Sequence, residues 1–280
     1  MVKQGLYKVL TNNGWTYKQC PDITSIMKLT NAGASGVQSQ AKHVGEIGAN
    51  CKLISQQVQA EAEDKKNFLL ILGGDHCIPI GTIPGILSKR PNTGIVWVDA
   101  HADINTPESS ISGNMHGMPV SFLMGLVKNA SKLPSMDWFK PCLDPKDIVY
   151  IGLRDLDQAE KVLIRKLGIK AFTMHDIDKY GIGRVMDETL YYLSNKTNIH
   201  LSYDIDALDP VYAPSTGTSV RGGLTFREGN FVCEALAESG KMTSMELVEV
   251  NPLIRSELDA MSTLDMSISL ISSAMGQRIL

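Results

Sequence analysis

The chain has 280 residues, 43% hydrophobic and 20% charged, with a formal net charge of −3. This describes a globular protein with a sizeable core and gives no electrostatic basis for binding nucleic acid or an anionic membrane. No apolar run approaches the ~18 residues of a membrane-spanning helix, the first residues are not a secretory signal, and five scattered cysteines (Cys20, Cys51, Cys77, Cys142, Cys233) without a C-x-x-C pair point to reduced thiols in the cytoplasm.

A short helix is expected around Met1 to Leu10, followed by polar sequence through Gly33 and Gly36 that carries no readable chemistry. Val44, Ile47, Cys51, Ile54 and Val58 recur at helical spacing, and the charged run Glu61 to Lys66 is the solvated end of that helix. Asn67 to Leu72 predicts a strand that passes through Gly73-Gly74-Asp75 to His76, and a short helix is expected between Pro79 and Ser88. The next apolar run, Gly94 to Val98, predicts a buried strand of a parallel sheet, and it stops where Asp99, His101 and Asp103 begin. Between Ile104 and Val120 the pattern gives way to a long polar loop, which reads either as a surface connection or as the place where substrate groups are recognised. Helical sequence resumes around Ser121 to Leu126. Strand and helix then alternate: a strand over Asp147–Leu153, a helix over Gln158–Leu167, a strand over Lys170–Met174 and a helix from Ile182 to Leu193. The strand Ile199–Tyr203 delivers Asp204 and Asp206. An irregular stretch from Ala207 to Thr225 precedes a helix over Arg227–Glu238. A strand over Met245–Val250 carries Glu249, and a last helix spans roughly Glu257–Met275. The alternation predicts one α/β domain over residues 1–280, a three-layer α/β/α arrangement around a mainly parallel sheet.

Asp99, His101 and Asp103 are spaced two apart, so in extended geometry they share a face just beyond their strand. Ligands of open α/β sheets gather at that edge. A strand ending in Asp is by itself only a turn or a cap, and a lone His is usually structural. Here His76, Asp99, His101, Asp103, Asp204 and Asp206 stand at corresponding strand ends, more than one ion needs, which suggests two ions sharing carboxylates. Oxygen with some nitrogen suits Mn²⁺, Mg²⁺ or Fe²⁺ better than structural zinc, while catalytic zinc stays open on ligand type. Two ions about 3.5 Å apart lower the pKa of a bridging water, so the expected chemistry is hydrolysis without a protein nucleophile. No G-x-S-x-G elbow supports a serine alternative. Glu249 reads either as the partner of a cationic substrate or as a cap on the turn at Asn251-Pro252. His116 reads either as a proton carrier or as an exposed loop histidine.

Five segments carry a resemblance: Gly73-Gly74-Asp75-His76, Asp99 through Pro107, Ser112 through Leu123, Ser202 through Pro210, and Glu249-Val250-Asn251-Pro252. In order and spacing they resemble the motif series of the arginases, in the ureohydrolase superfamily. The resemblance implies an arginase-like fold and a binuclear Mn²⁺ enzyme, two ions per chain, converting L-arginine and water to L-ornithine and urea. By motif position His76, Asp99, Asp103 and Asp204 hold one ion, and Asp99, His101, Asp204 and Asp206 the other. Asp103 also accepts a hydrogen bond from the attacking hydroxide. Glu249 faces the guanidinium and His116 shuttles the proton. Asn105, Ser112 and Asn114 read the α-carboxylate. Asp157, helped by Glu160, reads the α-amino group, and Thr218 lines the site near Glu249. The family's usual unit is a homotrimer.

The Ser112–Leu123 pattern favours arginine over agmatine, which has no α-carboxylate to read. A non-catalytic relative is expected to have lost a ligand, Glu249 or His116, and all are present. A two-metal phosphoesterase would need basic residues where this site is acidic. Two departures stand out. No strand and Gly-Pro turn precedes Met1, which predicts an unpaired edge or a gap in the sheet. Ala102 stands where Thr is frequent, with little effect expected.

Overall fold

Every residue of the strand Thr93–Val98 is buried, as a strand covered on both faces must be. The computed structural model describes residues 1–23 and 41–277, so the polar stretch through Gly33 and Gly36 lies outside the described residues. The strands are β1 (Leu69–Leu72), β2 (Thr93–Val98), β3 (Ile148–Leu153), β4 (Lys170–Thr173), β5 (Asn198–Asp204) and β6 (Met242–Val248). They form one sheet in the order β1-β6-β5-β2-β3-β4, and every pairing is parallel. The helices are α1 (Leu6–Asn12), α2 (Val44–Ala62), α3 (Pro79–Lys89), α4 (Pro119–Leu123), α5 (Gln158–Leu167), α6 (Met174–Tyr192), α7 (Phe226–Glu238) and α8 (Glu257–Ala274).

Strand alternation sorts the core into two layers. Val96 and Val98 of β2 pack with Val149, Leu201 and Leu247 under α1, α6, α7 and α8. Ile95 and Trp97 point the other way, into a cluster with Val44, Ile80, Ile83, Phe122 and Tyr150 under α2 to α5. The expected three-layer arrangement is therefore present.

Local chemistry explains the helix ends. Thr173 and Thr225 open α6 and α7 with capping boxes closed by Asp176 and Glu228, and Ser256 accepts from the Asp259 N–H to open α8. Gly168, at φ 65°, closes α5. Two boundaries differ from expectation. A helical segment already starts at Met174, where the preceding strand is expected to end, and the non-helical Gly181 (φ 77°, ψ 151°) separates it by a kink from the expected helix that begins at Ile182. The helix expected over Ser121–Leu126 sits at Pro119–Leu123, where Pro119 supplies a favourable first residue.

The sheet has no internal gap among the described residues. β1 pairs β6 with Leu69 opposite Ser244, and its other side has no strand partner among those residues. The amino-terminal segment is tied down nearby: Trp15 donates from Nε1 to the Met275 carbonyl (2.9 Å) and meets the Phe68 ring edge-on. Among the described residues, no helix is long and apolar enough to cross a membrane.

Candidate metal centre and active site

Four neighbouring strands, β1, β6, β5 and β2, end at one edge, and the parallel register brings their first loop residues together. Val98 pairs with Tyr203, so Asp99 and Asp204 leave the sheet side by side. Gly73 and Gly74 turn the chain from β1 towards His76. A Cβ on Gly73 would lie 2.7 Å from Ile78 Cδ1 and 2.8 Å from Val248 Cγ1, so any larger residue there would have to push those side chains aside.

His76 Nδ1 is the centre of the first group. It lies 3.0 Å from Asp99 Oδ2, 3.1 Å from Asp103 Oδ2 and 3.2 Å from Asp204 Oδ2. This nitrogen is fully buried and makes no regular hydrogen bond, although three carboxylates face it. Its other nitrogen is held by the Ser202 hydroxyl at 2.9 Å, and the ring stacks on Trp97 at 4.2 Å. The second group is built on His101 Nδ1, which lies 3.1 Å from Asp206 Oδ2 and 3.4 Å from Asp99 Oδ1. His76, Asp99 and Asp204, and likewise Asp99, His101 and Asp206, each offer ligand atoms mutually close enough for one ion, with Asp99 common to both. Asp99 is oriented by Trp97 Nε1 on Oδ2 (3.0 Å) and by the His101 N–H on Oδ1 (2.7 Å). Asp204 Oδ1 accepts from the Asp206 N–H (2.8 Å), and Asp206 Oδ2 accepts from Thr218 (3.0 Å).

The electrostatics have one cause. Burial opposes ionisation of every acid here, and the acids also repel one another, so Asp103, Asp204 and Asp206 are pushed above the usual carboxylate range. Asp99 goes the other way: burial is outweighed by the nearby imidazoles of His101 and His76. Both histidines are penalised by burial, but their carboxylate partners win, carrying His101 to about 12 and His76 well above normal. A buried, under-bonded imidazole nitrogen facing several carboxylates with a shared acid fits divalent ions, and an all oxygen and nitrogen donor set fits Mn²⁺ among them.

Glu249 follows β6 and turns back, with Oε1 accepting from the His76 N–H at 2.8 Å. Burial raises its carboxyl to about 7, with the His76 N–H working against the rise. His116 sits in a short 3₁₀ turn, half-buried, with Nδ1 3.8 Å from Glu249 Oε1, and burial lowers its pKa. Asp103 and Glu249 both adopt left-handed backbone, at φ 52° and 61°, unusual for residues other than glycine. Such conformations persist where the surroundings hold a side chain in place, and functional sites are where they gather.

The polar loop returns to the same edge. Asn105 Nδ2 donates to Asp157 Oδ2 at 2.8 Å, so these two proposed readers are in contact. Glu160 lies beneath them, buried, with its oxygens accepting from Ile104 N (3.2 Å) and Asp157 N (2.9 Å). Its place is thus to hold the backbone of the readers. Ser112 and Thr218 are exposed and Asn114 is half-buried. Three residues outside the expected set complete the site. Trp97 and Ser202 stand two residues before Asp99 and Asp204, so alternation puts them on the ligand face and could have signalled them. Arg154 had no such signal. Its guanidinium donates to the carbonyls of Asp206 (2.6 Å), Val220 (2.8 Å) and Ala207 (3.1 Å), fastening the 207–221 segment beside the centre.

The comparisons agree with this geometry. The description of the arginase family matches residues 6–276. The arginase of Neurospora crassa is 52% identical over 238 residues, covering 82% of this chain and 66% of that protein. The solved arginase of Bacillus caldovelox is 35% identical with a TM-score of 0.88, covering 100% of this chain and 91% of that one. The Entamoeba histolytica arginase, solved in complex with L-ornithine, is 34% identical with a TM-score of 0.78 over 86% of this chain and 80% of that one. Fold and site define an α/β protein with a carboxylate and imidazole centre at its strand ends. The chain belongs to the arginase family, whose members are hydrolases.

Proposed function

We propose that this chain hydrolyses L-arginine to L-ornithine and urea with two manganese ions held by His76, Asp99, Asp103 and Asp204 and by His101, Asp99, Asp204 and Asp206. The observation that carries the reading is the pair of imidazole nitrogens facing a shared set of buried carboxylates. Beside it stand Glu249 and the half-buried His116. The relative from Entamoeba histolytica, solved with L-ornithine, supports the product. When bound, the ions supply Lewis acidity and hydroxide at neutral pH.

The protein's own groups do the rest. Glu249 pairs with the planar guanidinium cation, whose charge favours the ionised carboxylate. Asp103 accepts a hydrogen bond from the attacking hydroxide and aims its lone pair at the guanidinium carbon. Addition forms a C–O bond, and the C–N bond to the side chain then breaks. His116 is kept largely neutral by burial, so it can take a proton and return it to the departing nitrogen as ornithine leaves. Asn105, Ser112 and Asn114 supply donors to the α-carboxylate, and Asp157 accepts from the α-ammonium. This end of the site selects arginine over agmatine. A homotrimeric, cytoplasmic enzyme belongs to the same proposal.

The test is metal stoichiometry with product analysis. Protein stripped by a chelator should bind about two Mn²⁺ per chain on titration and recover formation of ornithine and urea in equal amounts. One bound ion at full activity, or a product other than these, contradicts the proposal.

A further inference from the structure

We infer that Ser109, which touches no ligand of the centre, is a positioning residue that fixes the amide of Asn105 as a donor to the substrate carboxylate and thereby sets the preference for arginine over agmatine. The inference rests on the reading of the site as one that binds arginine.

An asparagine amide recognises an anion only if its NH₂ faces it, and the opposite orientation presents an oxygen that repels it. The hydrogen-bond chain around Asn105 has a single consistent direction. The Thr106 N–H can only donate, and it donates to Ser109 Oγ at 2.9 Å. The Ser109 proton then goes to Asn105 Oδ1, at 2.7 Å, in preference to the Thr106 carbonyl at 3.4 Å. At the other end of the amide, Asp157 Oδ2 accepts from Asn105 Nδ2 at 2.8 Å. Asp157 demands this orientation, and the short Ser109 bond to Asn105 Oδ1 reinforces it.

The backbone of Asn105 is pinned as firmly. Its N–H donates to the Gly117 carbonyl at 3.1 Å, and its carbonyl accepts from Ser121 Oγ at 2.7 Å. Asn105 is 6% exposed. What remains is the second N–H of Nδ2, which has no partner among the described residues. Ser109 is therefore the hydroxyl that keeps the oxygen turned away and this N–H available for a carboxylate. Without it, Asn105 Oδ1 loses its donor among the described residues, the amide is held at the Asp157 end alone, and its χ2, a broad torsion, is less tightly fixed.

A substrate with an α-carboxylate uses this N–H, and one without it does not. The test is steady-state kinetics of the full Mn²⁺-loaded chain, unmodified and as Ser109→Ala and Ser109→Thr. L-arginine and agmatine are compared, agmatine being read as a competitive inhibitor if it is not turned over. Ser109→Ala should raise the KM for arginine about tenfold, the size of one charge-assisted hydrogen bond, and leave kcat within about twofold and the agmatine constant unchanged. Ser109→Thr, which keeps the hydroxyl, should return the arginine KM to within about threefold of the original. An unchanged arginine KM in Ser109→Ala overturns the assignment, and so does a parallel loss for arginine and agmatine, which would mark a general disturbance of the loop. If the unmodified chain shows no arginine turnover, the functional reading falls and this inference with it. Turnover with an unresponsive Ser109 overturns the inference alone.

Discussion

Arg154 is the residue whose loss should separate the site's framework from its chemistry. Replacing it with Met keeps the stem and removes every donor. The carbonyls of Asp206, Val220 and Ala207 lose bonds of 2.6, 2.8 and 3.1 Å, and the weaker contact to Leu208 at 3.3 Å goes with them. An orphaned buried acceptor costs about 1–3 kcal/mol. Arg154 is only partly buried, so water can reach some of these carbonyls, and the lower part of that range, about 3–4 kcal/mol in all, is the better figure. With an unfolding entropy of about 2.1 cal/mol/K per residue, that is a fall in melting temperature of roughly 5–7 °C. Because Asp206 is both anchored by Arg154 and in contact with His101, affinity for metal should fall in step. Arg154→Lys should be intermediate, since an ammonium cannot serve three divergent acceptors as a guanidinium fork does. Calorimetric melting and Mn²⁺ titration read both effects. A melting temperature within about 2 °C of the original, with unchanged metal affinity, would show that the guanidinium does not hold the 207–221 segment.

Two more expectations follow from other parts of the molecule. His116→Ala should lower kcat about 10²- to 10³-fold at unchanged metal content, measured by single-turnover urea release, and a kcat within tenfold would remove His116 from proton transfer. The second concerns pH. Glu246 is fully buried, accepting from Thr82 Oγ1 at 2.6 Å and lying 3.2 Å from His200 Nε2. Burial raises its pKa, but His200 and Thr82 outweigh burial and the net shift is downward. A carboxyl depressed on folding adds stability above its unfolded pKa of about 4.3, and that stability drains away as pH falls through the folded value. The stability gap between the original and Glu246→Gln, from urea denaturation, should thus be full at pH 7 and shrink below about pH 4.3. A gap that stays constant across that range would contradict the linkage.

The cluster of carboxylates and imidazoles was legible because strand periodicity is strict. Side chains two apart share a face, and Asp99-x-His101-x-Asp103 and Asp204-x-Asp206 announce a common edge once the strands are known to be parallel. The order of strands was not legible. That β6 lies between β1 and β5 depends on contacts between residues far apart in sequence, and no local pattern encodes it. The helical segment from Met174 was hidden for another reason, since Met174 and Ile177 are too few apolar positions to show a period before the break at Gly181. Glu160 shows the opposite limit. Its carboxylate is spent on the N–H groups of Ile104 and Asp157, a use that depends on which face of α5 meets the polar loop. Arg154 and Ser109 escaped because their partners are main-chain carbonyls and an amide oxygen, which leave no mark in residue identity. The positive φ of Asp103 and Glu249 is equally silent in sequence, although it marks two of the residues given chemical roles.

The most direct test of the central claim is urea release by the Mn²⁺-loaded chain, with L-arginine and agmatine measured in parallel and His101→Ala as control. The expected result is rapid release from arginine, little from agmatine, and loss of both in the control, because His101 faces Asp99 and Asp206 in the second ligand group. Preference for agmatine would contradict the roles given to Asn105, Ser112 and Asp157. Undiminished release by His101→Ala would contradict the two-ion centre itself.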